Sequence, residues 1–580
     1  MEYQLISPID KNKSVVEQIL TNRGIPLKDI PHYLNTTESD NLNPLLLKNM
    51  REGAQMLVKH LMSGKIYLQV DEDADGYTSS AIFLNYLYNW VPSVVSANIT
   101  YAFHPGKTHG IVLEQIPDDT TLVIAIDASS SEFEKHEQLA KRGVDVLIMD
   151  HHQSTGESEY ACVINNQLCD YPTKSLSGAG IAYKFCQYLD KLLDLNYADN
   201  YLDLVACALI ADVMDMRDFE TTYLTHKGLT QIRNPFLAAM VEKNQIKLGN
   251  NLTPIGIAFY VAPYINAITR VGQEEEKRTL FEAMLEWKAY ESIPSTKRGC
   301  KGQFETIVDQ AVRNCTNVKN RQTRTRDQNL EIIEKLIEEQ NLLSHKILLI
   351  RIPKEKEIDK GLTGLVAMEL ASKYQKPTLV LNQSEIDGEL AWSGSGRGLG
   401  SSKLLDFRGF CEKSGMVNLA QGHPQAFGFA ILDSQVDNFL SYCEKTLYNM
   451  DFTPCYKVDF IYSTQTLKPK NILDIAGMKS LWGQNVGEAL IAVEGIRVCA
   501  NNLYLMSRDK NPTLKITLPN GVACIKFKSN DEEFNNLFSE SGCVVINLVG
   551  KCELNEYNGL ITPQIIIENY DIISRQQYYF

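Results

Sequence analysis

The chain has 580 residues, 44% hydrophobic and 22% charged, a composition ordinary for a globular protein of three or four domains. No apolar run is long enough to span a bilayer, and Met1-Glu2-Tyr3-Gln4 lacks the basic start and apolar stretch of a secretory signal. A cytoplasmic location away from membranes is expected, and the net charge of −14 speaks against a uniformly basic surface.

The first 50 residues are polar, with helical pieces and turns at Asn22-Arg23-Gly24 and Ile30-Pro31. From Lys65 a β/α rhythm begins. Strands are expected at Ile66–Val70, Thr121–Ile126 and Val144–Met149, with helices over Thr78–Trp90 and Glu132–Arg142 between them. That alternation predicts a parallel sheet with crossover helices. Residues 265–340 read as a polar helical connector. From Lys297 to Arg326 it carries eight Lys or Arg against two acids, a solvated helix face or a local basic groove with even odds. A second β/α pattern follows at Lys346–Ile350, Leu362–Tyr374 and Pro377–Leu381. After residue 450 come five short strand-like stretches: Ala489–Val498, Thr513–Leu518, Val522–Phe527, Cys543–Val549 and Leu560–Glu568. Such a run suits a small barrel such as an OB-fold.

The thirteen cysteines are odd in number and scattered, with no Cys-x-x-Cys pair. This argues against a disulfide framework and a sulfur-ligated zinc site. Cys207 and Cys524 stand in apolar surroundings and are expected to be buried thiols.

Four acidic positions stand at the ends of apolar stretches. Asp71-Glu72-Asp73-Ala74-Asp75-Gly76 follows Val70 directly, Asp127 ends the second strand, Asp150-His151-His152 ends the third, and Asp212 follows Ala208–Ala211. Ligands of open α/β sheets gather at the carboxyl ends of strands. Gly76 is expected to permit a tight turn. Asp-x-Asp-x-Asp-Gly also looks like a calcium loop, but the bidentate acid needed six residues after the glycine is Ile82. Singly, each Asp is as easily a helix N-cap and each His incidental. Together, many carboxylates with an imidazole suit Mn²⁺ or Mg²⁺.

Asp150-His151-His152 resembles the signature of the DHH phosphoesterases, and the likeness runs in order over roughly residues 50 to 575. Leu176–Gly180 after Asn165 and Pro172, then Leu202–Val205 leading into Ala211-Asp212-Val213, resemble later motifs of the RecJ branch. Ile265-Asn266-Ala267 with Arg270 resembles the opening of its connector. Gly361–Ala367, Ser393-Gly394-Ser395-Gly396-Arg397 and Gly422-His423 look like its DHH-associated domain. Asn555–Gly559 resembles its OB-fold. The small-substrate branch places a histidine where Gln69 stands, whereas the RecJ branch carries the acid found here as Asp71. Ala128-Ser129, Gln421 and Glu72 depart from the RecJ pattern without removing a metal ligand, as in a divergent, phage-encoded member.

The resemblance implies an α/β fold: an N-terminal segment (1–48), a parallel-sheet DHH domain (49–264), the helical connector (265–340), a smaller α/β DHH-associated domain (341–450) and an OB-like β-barrel (451–580). It implies two divalent ions, Mn²⁺ or Mg²⁺, among Asp71, Asp73, Asp75, Asp127, His151 and Asp212, with Asp127 bridging. His152 would contact the phosphate or assist the leaving group, or else orient Asp150. Arg397 and His423 would bind the phosphate beside the scissile bond, with Gly394 and Gly396 letting backbone approach it. Ser395 and Arg270 would hold a 5′-phosphate. Arg313, Lys319, Arg321, Arg324 and Arg326 would track DNA, and Tyr557 and Trp482 would offer stacking platforms or core aromatics. The implied activity is metal-dependent 5′→3′ hydrolysis of single-stranded DNA by a monomer, working with single-strand-binding protein and a helicase. Two other readings stand beside it: a phosphodiesterase for short oligonucleotides or RNA, and a non-catalytic replication scaffold.

Overall fold

The computed structural model describes every residue except 105–108, 250, 401, 453–454, 509, 541, 558 and 578–580, together with the side chains of Tyr557 and Gln577. The chain forms two compact units. One is Arg23–Asn320 with Met478–Glu488; the other is Met1–Asn22, Arg321–Gly477 and Ala489–Phe580.

The first unit is built on five strands: β1 (Ile66–Val70), β2 (Ile99–Phe103), β3 (Leu122–Ile126), β4 (Asp145–Asp150) and β5 (Cys162–Asn165). Their order is β2-β1-β3-β4-β5 and every pairing is parallel. All residues of β1 and β3 are buried, because a parallel sheet is covered on both faces and its central strands need no polar side. LVIAI meets that demand with β-branched and aliphatic side chains alone, while IYLQV also buries Tyr67 and Gln69, whose polar ends bond each other at 3.2 Å. Helices α1 (Ala74–Trp90), α2 (Gly178–Leu193) and α3 (Leu202–Ala211) share one core with the sheet. Gly76 lies inside α1 and not in a turn. A Cβ there would come within 2.6 Å of Asp71 Cβ, so glycine is required by close approach.

A buried ion pair ties α2 to the rest of this unit. Lys184 Nζ lies 2.5 Å from Glu220 Oε1, with the two side chains 0% and 1% exposed. Lys184 also donates to Leu42 O (2.8 Å) and to Asn41 Oδ1. Glu220 accepts from Leu42 N (2.9 Å) and Tyr171 OH (3.0 Å). The desolvation cost of both charges is thus offset by a full set of partners. Helices α4 (Ala262–Val271) and α5 (Glu274–Met284) complete the unit, and the 33-residue α6 (Ile307–Glu339), about 50 Å long, passes from one unit into the other.

The second unit holds two larger sheets. In the first, β6 (Leu348–Ile352) and β7 (Thr378–Ile386) are parallel, joined by α7 (Thr363–Tyr374). β8 (Glu389–Arg397), β9 (Leu419–His423) and β10 (Ala426–Leu432) then add antiparallel, giving the order β9-β10-β8-β7-β6. The second comprises β11 (Phe460–Ser463), β12 (Leu490–Cys499), β13 (Leu503–Met506), β14 (Thr513–Thr517), β15 (Ala523–Lys526), β16 (Gly542–Tyr557) and β17 (Leu560–Gln577). Its order is β11-β12-β16-β17-β15-β14-β13. Five of these seven strands lie where the sequence predicts them; the order is that of an open sheet. Glu2–Leu5 adds a strand parallel to Cys455–Val458, which the polar N-terminus did not suggest.

One further expectation is corrected here. Cys499 and Cys543, directly opposite on β12 and β16, form a disulfide, so the scattered cysteines do contain one pair. Cys207 and Cys524 are buried free thiols, as expected. Trp482 is only 3% exposed, so of the two roles expected for it the structure shows the core aromatic. Ser393–Arg397 lies inside β8.

Lys184→Met leaves Glu220 buried without its cation and is expected to destabilise the protein by about 3–5 kcal/mol. Lys184→Met with Glu220→Leu should recover most of that. Urea unfolding of both variants checks it; a single variant within about 1 kcal/mol of wild type would show that the pair is not an integral part of the core.

Candidate metal centre

The strand order places a switch point between β1 and β3. The chain leaves β1 for β2 on one side, then crosses to β3 on the other, so the loops after β1 and β3 part and leave a crevice at their carboxyl ends. Val70 pairs with Ile126, so Asp71 and Asp127 emerge side by side. Ile126 pairs with Met149, which brings Asp150, His151 and His152 to the same edge. Asp212 caps the C-terminus of α3, the negative end of the helix dipole, where a carboxylate needs other support.

Ligand atoms of Asp71, Asp73 and Asp127 lie within 4.8 Å of one another, as do those of Asp75, His151 and Asp212, and those of Asp127, Asp150, His151 and His152. His151 Nε2 is 3.0 Å from Asp127 Oδ1, 3.3 Å from Asp212 Oδ2 and 3.8 Å from Asp75 Oδ2. Two helix N-termini hold this group. Asp73 caps α1, accepting from Gly76 N at 3.0 Å. Asp75 accepts from Gly178 N (2.6 Å) and Ala179 N (2.9 Å) at the start of α2. A Cβ on Gly178 would stand 2.5 Å from Asp127 Cβ, so glycine lets α2 reach the crevice. Asp127 itself has φ 70°, a left-handed conformation that aims its side chain along the sheet edge. Asp150 is spent on the loop: it accepts from His151 N (2.7 Å), His152 N (3.1 Å), His152 Nδ1 (2.8 Å) and Ser130 N (3.0 Å).

The charges strain against one another. Burial, then Asp75, Asp73, Asp71 and Asp212, push the Asp127 carboxyl well above the usual range. Burial with Asp75 and Asp73 pushes Asp212 up to about 8. Burial, Asp75 and Asp71 raise Asp73 as well. Burial holds the His151 imidazole low, so it is neutral and offers a lone pair. His152 differs: its hydrogen bond to Asp150 raises it to about 9, making it a cation at the rim with its side chain 59% exposed. Burial alone would raise Asp150, but His152 and Ser130 hold it well below the usual carboxylate range.

Asp127 Oδ1 and His151 Nε2 are buried, 3.0 Å apart, and neither has a hydrogen-bond partner. Two buried facing acceptors in a carboxylate-rich crevice are satisfied by a bound cation or, without one, by a shared proton. The oxygen-rich donor set with imidazole suits Mn²⁺ or Mg²⁺. Asp71, Asp73, Asp75, Asp127, His151 and Asp212 are therefore brought together, while Arg270 lies exposed on α4 and lines a cavity of about 400 Å³ with Glu72, His104, Lys277 and Arg278.

The second unit gathers its own set. Arg397 stands opposite Ala426, and Ala426 opposite His423, so both side chains leave one sheet face about 10 Å apart. Ser395 shares that face and contacts Thr363 Oγ1 at 2.9 Å. A Cβ on Gly364 would meet Arg397 Nη2 at 2.5 Å, so the start of α7 packs on this motif. The Cβ directions of Gly394 and Gly396 are filled by Val380 O and the Phe427 ring, a packing need that exists without any ligand. Gly422, at φ 132°, does require glycine. On α6, Arg313 pairs with Glu305 and Arg326 with Asp327 (2.6 Å) and Glu369 (3.2 Å), so part of the basic run is neutralised.

Residues 65–209 match the DHH family, N-terminal domain. A relative in Bacillus subtilis strain 168, named provisionally as the SPbeta prophage-derived single-strand DNA-specific exonuclease YorK, is 37% identical over all of this chain and 99% of its own. The chain belongs to the DHH phosphoesterases, in the RecJ-like branch. The single-stranded-DNA-specific exonuclease RecJ of the same organism is 24% identical over 97% of this chain and 69% of its own. The RecJ structure from Thermus thermophilus in complex with Mn²⁺ shares the fold, with a TM-score of 0.70 at 18% identity over 99% of this chain and 80% of that one.

Sequence reasoning missed two imidazoles of this RecJ-like chain. His109 Nδ1 lies 3.0 Å from Asp71 Oδ2, and His104 Nδ1 lies 3.6 Å from Asp71 Oδ1. The available signal was position: His104 directly follows β2 at the same sheet edge as the acids. The missed strand β2 hid it.

The pH dependence follows from Asp212. Its carboxyl titrates near 3.9 when unfolded and at about 8 when folded. Protonation therefore favours the folded metal-free state, an advantage complete below about 3.9 and lost as pH rises through about 8. In EDTA the melting temperature should fall from about pH 5 to about pH 8, and Mn²⁺ should raise it more at the higher pH, where fewer protons compete. Equal Mn²⁺ shifts at both ends would rule out this proton–cation exchange. Gly178→Ala, which pushes on Asp127, should weaken Mn²⁺ binding about 10–100-fold by calorimetry; unchanged affinity would show that Asp127 can yield.

Proposed function

We propose that this chain is a two-metal exonuclease that hydrolyses single-stranded DNA from the 5′ end to 5′-mononucleotides, in DNA repair, recombination or replication. The observation that carries the reading is the buried, unpartnered pair Asp127 Oδ1 and His151 Nε2 within an intact carboxylate cluster. The full-length likeness to proteins named single-strand DNA-specific exonucleases supports the substrate. Divalent ions bound there would lower the pKa of water and neutralise the attacked phosphodiester.

The residues divide the work. Asp71, Asp73, Asp75, Asp127, His151 and Asp212 hold the ions, with Mn²⁺ or Mg²⁺ the fitting choices. Asp150 fixes the loop that presents His151 and points the His152 imidazolium, which binds a non-bridging phosphate oxygen or protonates the leaving oxygen. In the second unit, Arg397 and His423 form a phosphate-binding face, and Ser395 and Gly396 shape it. Arg270 holds a 5′-phosphate, which sets polarity. Residues 49–264 and 341–450 are read as the DHH and DHH-associated domains, 265–340 as the connector, 451–580 as an OB-like nucleic-acid module and 1–48 as an N-terminal segment.

Purified protein with Mn²⁺ and single-stranded DNA labelled at either end tests this, with Asp73→Ala as control. Mononucleotides should be released from the 5′ end, and Asp73→Ala should lose at least about 100-fold in rate, the scale of a lost electrostatic group. Cleavage confined to di- and trinucleotides would favour a short-oligonucleotide enzyme. Binding without any hydrolysis would favour a scaffold.

A further inference from the structure

β2 lies beside β1 on the side away from β3, and Val70 pairs with Phe103. Asp71 and His104 are therefore the first residues past two neighbouring strand ends. The His104 side chain is 0% exposed. Its Nε2 lies 2.5 Å from Gly110 O, a carbonyl that can only accept, so Nε2 carries the ring proton. The other nitrogen, Nδ1, has no hydrogen-bond partner and faces Asp71 Oδ1 at 3.6 Å. In the neutral ring that is a desolvated lone pair set against a carboxylate oxygen, which costs free energy unless a cation lies between them.

His151 carries the same mark: a buried Nε2, unpartnered, set against a carboxylate. Metal-binding histidines commonly fix one ring N–H on a backbone carbonyl and turn the other nitrogen to the ion, and His104 is arranged in that way. His109 is different. Its Nδ1 bonds Asp71 Oδ2 at 3.0 Å and its side chain is 73% exposed, so it braces Asp71 from outside.

We propose that His104 Nδ1 is a ligand of the cation held by Asp71, Asp73 and Asp127, and that this imidazole favours Mn²⁺ over Mg²⁺ there. It rests on the two-metal reading above for the presence of an ion, and adds a nitrogen donor to a set that otherwise holds only oxygen. Mg²⁺ prefers oxygen ligands and keeps its waters, whereas imidazole suits transition ions. With His151 on the neighbouring set, each half of the cluster then has one imidazole.

Full-length wild type, His104→Ala, His104→Gln and His109→Ala, stripped and reloaded with Mn²⁺, are compared by pulsed electron paramagnetic resonance, which counts coupled imidazole nitrogens. Calorimetry gives Mn²⁺ and Mg²⁺ affinities, and circular dichroism in EDTA confirms folding. His104→Gln keeps a donor for Gly110 O, so it serves if the alanine variant does not fold. Either His104 variant should lose one of two nitrogen couplings and about tenfold or more in Mn²⁺ affinity, with a smaller loss for Mg²⁺. His109→Ala should keep both couplings. Unchanged couplings in the His104 variants, or equal losses for both ions, would overturn the proposal and leave His104 a positioning residue. Wild type with two coupled nitrogens that leaves single-stranded DNA intact supports this inference and overturns only the exonuclease reading. Wild type with one coupled nitrogen overturns this inference alone.

Discussion

Negative charge packed at one sheet edge governs the rest of the structure. Asp71, Asp73, Asp75, Asp127 and Asp212 crowd around a neutral His151, and all but Asp212 and Asp73 are fully buried. Without cations such a group is tolerable only if carboxyls keep protons, which is why Asp127 and Asp212 sit so far above their ordinary range. Positive potential comes from the α1 and α2 N-termini, the His152 cation, and Lys277, whose 2.6 Å buried bond neutralises Glu72 between two of the acids.

Position is enforced as strongly as charge. Strand register sets Asp71 beside Asp127, and two glycines remove the side chains that would hold α1 and α2 away. Backbone strain is concentrated at the same edge. Asp127 at φ 70°, Ser129 at φ 82° and Val213 at φ 56° all lie in the left-handed region, and for the β-branched Val213 this is costly. At Val213 the left-handed residue closes α3 in a Schellman motif, with Met214 N bonding Leu209 O at 2.9 Å, and the neighbouring Asp212 lies 3.3 Å from His151.

The parallel sheet and the acids at its edge were legible because buried parallel strands are continuous apolar runs and each ended in an Asp. β2 and β5 were not legible. Ile-Thr-Tyr-Ala-Phe alternates partly polar, and Cys-Val-Ile-Asn is only four residues long. Missing β2 meant that His104 had no strand end to belong to. The glycines of Ser393–Arg397 stand inside a strand because Val380 O and Phe427 occupy the space side chains at Gly394 and Gly396 would fill. Trp482 shows the limit of aromatic counting, since nothing in its local sequence separates a core indole from an exposed one. Single-residue partnerships such as Cys499 with Cys543, 44 positions apart, depend on sheet register that only the folded chain supplies.

The overall charge of −14 looks wrong for a protein that handles a polyanion, and on α6 Arg313 and Arg326 are already paired with acids. In the proposed reading the two facts agree. A net acidic chain draws little non-specific binding from the phosphate backbone. Attraction for DNA then arises where divalent ions convert a carboxylate cluster into a positive site, and at the Arg397–His423 face, where two side chains share one row of the sheet. The five carboxylates of that cluster account for part of the −14, and the remaining acids lie elsewhere on the chain.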